Sequence, residues 1–169
     1  MQVPVRNIIP FDLNHWFQPD TSPVENAHAL RALLDCLISL NQAYYKYNPR
    51  TLPLYRAGVV YERTDEWLPI PALYLQGYGD CKSLACALIA EYRHNGVPCE
   101  PAFRWAVRKH APEVVRDFHI LVETKNGYED PSKVLGMGAD EVALISDPMS
   151  IGVLDQEMVK ANLKKLMLT

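Results

Sequence analysis

Cys81 lies where a glycine-broken loop runs into an apolar helix, in the segment Gly77 to Tyr92 (GYGDCKSLACALIAEY). The first N–H groups of a helix have no intrahelical partner and carry partial positive charge, so a cysteine in that place is favoured as the thiolate, its nucleophilic form. Farther on, Phe118 to Val122 (FHILV) is predicted as a strand carrying His119, and Tyr128 to Ser132 (YEDPS) sets Asp130 after a turn. Cysteine, histidine and aspartate in this order supply a nucleophile, a general base and a group that orients the base. The chemistry such a set performs is acyl transfer. The thiolate attacks a carboxamide carbonyl, the imidazole protonates the leaving amine, and water or a second amine resolves the thioester. Water gives a peptidase or deamidase and an amine gives a transglutaminase; these residues leave the choice open.

Each residue also has a plainer reading. Cysteine behaves as a small hydrophobe, so Cys36 and Cys86, inside helical patterns, are expected in the core. His15, His28, His94 and His110 have no comparable context, and His94 suits a helix C-terminus. A two-residue turn at Asn126-Gly127 would set Asp130 opposite Glu123, on the face of His119 but ~13 Å along the strand at ~3.4 Å per residue. Contact then requires a bulge or an early end to pairing before Pro131. Asp130 is otherwise an aspartate opening a turn before Pro-Ser. For an oxyanion, the Cys81 N–H is one donor and the Gln76 side-chain amide a second, with Tyr78 or Trp105 as alternatives.

At Gly79-Asp80-Cys81, His119 and Asp130-Pro131-Ser132 the chain resembles the transglutaminase-like superfamily of cysteine enzymes, over about Gly79 to Ser132. The resemblance implies Cys81, His119 and Asp130 as the catalytic triad, a papain-like core, no cofactor or metal, and amide hydrolysis, deamidation or acyl transfer on a protein or peptide substrate. Where the family commonly has an acidic residue after the cysteine, this chain has Lys82-Ser83, and ten residues separate His119 from Asp130, a short interval for the family. A second reading is a binding or structural module, such as a phage accessory protein, that keeps the motif without catalysis. An arylamine acetyltransferase uses the same three residue types, but the chain is short and lacks that family's glycine and arginine pattern.

The rest of the chain must position these groups. With 169 residues, 49% of them hydrophobic and 22% charged, it is expected to form one domain spanning 1–169. A net charge of -3 argues against nucleic acid or an anionic membrane as partner. No apolar run reaches the roughly eighteen residues of a membrane span, and the N-terminus lacks a secretory pattern. Four cysteines without a CxxC pair argue against structural zinc. A reduced, cytoplasmic location is expected, virion-associated if the chain is phage-encoded.

Residues 1–20 read as a packed arm. Ser22-Pro23-Val24-Glu25 gives a capping box, and Ala27, Leu30, Leu34, Leu37 and Tyr44 continue as a long helix ending by Asn48-Pro49. Arg56 to Arg63 is predicted as a short strand and Thr64 to Gly79 as a loop. A helix from Cys81 stops at Gly96; strands follow over Val97 to Val107 and Phe118 to Thr124, and an amphipathic helix over Leu154 to Leu168. The fold class is α+β: N-terminal helices on a small antiparallel sheet, with the nucleophile at the start of a central helix.

Overall fold

The computed structural model describes residues 23–108, 115–138 and 149–150. The expected N-terminal arm, the Ser22 cap and the helix over Leu154 to Leu168 lie outside the described residues. Helix α1 (Pro23–Tyr47) begins at the predicted proline. Its buried stripe, Leu34, Leu37, Ile38, Asn41 and Tyr45, recurs every three or four residues and packs along α3 (Cys81–His94). Cys36 is exposed, against the expectation of a core cysteine. At ~100° per residue it points about 200° away from Leu34 and from Ile38, onto the outer face.

Helix α3 is buried throughout from Ser83 to Ala90. A helix apolar on all sides belongs in the middle of a fold, and here α1 covers it on one side and the sheet on another. It ends as predicted: the Gly96 N–H donates to the Arg93 carbonyl at 3.1 Å and the Val97 N–H to the Tyr92 carbonyl at 2.8 Å, a complete Schellman pair.

The segment between these helices departs from expectation. The predicted strand shrinks to β1 (Val60–Tyr61), preceded by a 3-10 turn at Leu54–Arg56. Within the predicted loop, Ile70–Gln76 is a helix, α2, and Tyr78–Gly79 a strand, β2, paired in parallel with β1. Pro69 and Pro71 read as loop residues, yet a proline in the first turn is compatible with a helix start because its missing N–H would have been unpaired there. Ile70 and Leu73 anchor α2 in the core, and the Ile70 N–H donates to Oδ1 of the buried Asn41 at 2.8 Å.

The larger sheet is antiparallel, in the order β5-β4-β3-β6: β3 (Cys99–Arg108), β4 (Val115–Thr124), β5 (Gly127–Glu129) and β6 (Met149–Ser150). Phe103, Ile120 and Val122 join Leu34, Leu84 and Leu88 in one hydrophobic cluster. A four-residue helix, α4 (Pro131–Val134), follows β5 and packs on α3. The architecture is mixed helix and sheet with a small antiparallel sheet. Among the described residues no helix is long and apolar enough to cross a membrane.

Candidate active site

Cys81 is the first residue of α3, and Asp80 is its N-cap, accepting a hydrogen bond from the Ser83 N–H at 3.4 Å. The approach to the cap favours glycine: a methyl at Gly79 would come within 2.5 Å of Leu73 Cδ1 and 3.4 Å of Ser83 Cβ, so the buried Leu73 side chain would have to shift. Gly79 is also fixed from the other side, because the Glu62 N–H donates to its carbonyl at 2.9 Å. The start of α3 is thus clamped between β1 and α2. Cys81 remains partly exposed, within reach of a ligand.

The residues after the cysteine, Lys82 and Ser83, latch the 64–68 loop to the first turn of α3. Lys82 Nζ forms an ion pair with Asp80, donates to the Thr64 carbonyl at 2.7 Å and lies 5.7 Å from the Trp67 ring centroid. Burial pushes the Asp80 carboxyl up in spite of that pairing. The fully buried Ser83 Oγ accepts from the Leu68 N–H at 3.1 Å. In the sequence this pair reads only as a departure from the family's pattern. Its signal was a cation and a hydroxyl in the first turn of an otherwise apolar helix.

His119 on β4 is 5% exposed, and its Nε2 lies 2.9 Å from Asp130 Oδ2. The expected ~13 Å separation is corrected by the register. Thr124 pairs with Gly127, Glu123 with Tyr128 and Val122 with Glu129, so the loop residues are Lys125 and Asn126 rather than Asn126-Gly127. Continuing that register brings Asp130 opposite Leu121, two positions from His119 instead of four, a diagonal that two side chains span together. The cause is local. Between Thr124 and Gly127 a positive φ, +114°, is taken by Gly127 alone, while Thr124 Oγ1 accepts from the Asn126 N–H at 3.1 Å and donates to the Gly127 carbonyl at 3.2 Å. Pairing then ends at Glu129, where Pro131 opens α4.

Asp130 uses both carboxylate oxygens. Oδ1 accepts from the Lys133 N–H at 3.3 Å as the N-cap of α4, and Oδ2 meets the imidazole. The turn-opening role and the histidine contact therefore coexist. Burial alone would lower the His119 pKa, but hydrogen bonding and charge from Asp130 and from Cys81 raise it to about 9. Burial alone would raise Asp130, and the His119 contact outweighs it to hold the carboxyl below its usual range. With Nε2 directed at Asp130, Nδ1 is the ring nitrogen left to exchange a proton with sulfur.

Gln76 ends α2, and its amide donates to Glu66 Oε2 at 3.2 Å in an exposed contact. Tyr78 lies on β2, and the Trp105 side chain is outside those described. No protein-family model matches the chain, and no curated protein or solved structure is significantly similar to it.

Proposed function

We propose that the chain is a transglutaminase-like cysteine enzyme that cleaves or transfers amides through a thioester on Cys81. The supporting observation is the convergence of three separate segments: a partly exposed cysteine at a helix start, a buried histidine that this cysteine helps to charge, and an aspartate 2.9 Å from that histidine. The Cys81 thiolate adds to the carboxamide carbon, and its own N–H, unpaired at the first helical position, faces the developing oxyanion. His119 gives its proton to the departing nitrogen as the C–N bond breaks, leaving the thioester. It then removes a proton from water or an incoming amine, whose attack expels the Cys81 thiolate and regenerates the imidazolium. Asp130 holds the ring with Nδ1 toward sulfur and favours its charged form. The substrate is a protein or peptide, and the Gln76 amide serves as second oxyanion donor if it is released from Glu66 on binding.

The test is incubation with a pool of glutamine-containing peptides and a fluorescent primary amine, followed by intact-mass and peptide analysis. A peptide joined to Cys81 with loss of ammonia or of an amine fragment, absent in Cys81→Ala, is the expected result. Water products identify a hydrolase and amine adducts a transglutaminase. Absence of any Cys81-dependent product over a broad peptide pool would favour the non-catalytic module.

A further inference from the structure

In the β3–β4 ladder the residue directly opposite His119 is Arg104. Directly paired residues of an antiparallel ladder point to the same side with Cβ atoms ~5 Å apart, so the Arg104 side chain leaves the sheet next to that of His119. Arg104 is partly buried, and its Nε is sealed from solvent without a hydrogen-bond partner. Other arginines nearby are paired: Arg31 with Asp35 and Glu100, and Arg93 with Glu100 and the Cys99 carbonyl. No carboxylate among the described residues pairs with Arg104. Asp130, the carboxylate in contact with His119, already divides its oxygens between that ring and the α4 cap. A shielded guanidinium N–H without a partner is costly, and a fork-shaped cation is matched by a carboxylate in two-point contact.

We infer that Arg104 is a substrate-recognition residue that binds a carboxylate on the molecule whose amide Cys81 attacks. This rests on the amide chemistry proposed above. The favoured substrate is a peptide in which an acidic side chain or a free α-carboxylate lies next to the reacting carbonyl.

Two alkylating reagents of nearly equal size, iodoacetate and iodoacetamide, differ in this one feature and require no known substrate. The ratio of their rates at Cys81, resolved by peptide mass spectrometry, is expected to fall about tenfold in Arg104→Gln and to stay within about threefold of wild type in Arg104→Lys. An unchanged ratio in Arg104→Gln, or an equal fall in both variants, would overturn the inference. Alkylation of the buried Cys86 and Cys99 reports any loss of folding in the same sample. Failure of Cys81 to outpace the exposed Cys36 with either reagent sinks the enzyme reading instead, which keeps the two failures apart. Protection of Cys81 from iodoacetamide then separates the carboxylate sources. One probe is an N-acetylated, C-terminally amidated peptide with an internal glutamate; the other is a neutral peptide with a free C-terminus. The true source protects the wild type and loses that effect in Arg104→Gln, and protection by neither contradicts carboxylate recognition.

Discussion

The His119 imidazole lies between two groups that both favour its charged form, and this sets its response to pH. Its folded pKa, about 9, exceeds the ~6.5 of a free imidazole. The stability it contributes is therefore full below about pH 6.5 and lost as pH rises through about 9. Asp130, held low by the imidazolium, contributes above the ordinary carboxylate range and loses that contribution as pH falls through its lowered value. The imidazolium favours the Cys81 thiolate only while it is protonated, so the slowing of Cys81 alkylation in His119→Ala should be largest well below about pH 9 and should shrink above it, with rates followed from pH 5 to 10. Asp130→Asn keeps a good helix cap but removes the charge, so the His119 ring, titrated by NMR, should drop toward its free value. Alkylation of Cys81 at pH 7 should slow about tenfold or more in that variant. An unmoved His119 titration would mean that Asp130 only caps α4. The two cysteines of α3 separate in the same way. Cys81→Ser should leave the melting temperature unchanged or higher, because the desolvation cost of holding a charged thiolate in a partly buried cleft is removed. Cys86→Ser, on a fully buried side chain whose burial pushes the thiol well up, should cost about 1–3 kcal/mol in thermal melts.

At the scale of elements, the site is built where short segments brace one another. The Tyr61 N–H on β1 donates to the Leu135 carbonyl just after α4 at 2.8 Å, and β1 pairs with β2, which leads into Cys81. The backbones that carry Asp130 and Cys81 are thereby joined through one two-residue strand. Gly79→Ala pushes its methyl toward Leu73 and Ser83, so it should destabilise by about 1–3 kcal/mol and slow Cys81 alkylation together. Full reactivity in a folded Gly79→Ala protein would show that the clamp does not position the nucleophile. The long elements were legible because α1 and α3 repeat an apolar stripe over several turns and end at Pro and Gly signals. Helix α2 was not, since seven residues between Pro69 and Gly77 give too little periodicity to outweigh the breakers around them. The hairpin register departs from the sequence expectation for a related reason. Asn126-Gly127 matches a tight-turn signature, but Thr124 hydrogen bonds move the turn one residue earlier, and a one-residue move of both loop positions brings Asp130 two residues nearer its partner.

Across the whole molecule, the order cysteine, histidine, aspartate could be read from sequence, while their meeting depends on contacts between distant segments. Cys81 and His119 are 38 positions apart and come together because α3 is buried between α1 and the sheet. No local pattern encodes that distance. The exposure of Cys36 makes the central claim sharply testable, since accessibility alone would make Cys36 react first. The direct measurement is the iodoacetamide rate of each of the four cysteines at pH 7, read by peptide mass spectrometry in the wild type and in His119→Ala. A catalytic site predicts Cys81 fastest despite its smaller exposure, Cys36 slower, Cys86 and Cys99 slowest, and a fall at Cys81 alone in His119→Ala. Cys36 fastest, with Cys81 unaffected by the loss of His119, would contradict it.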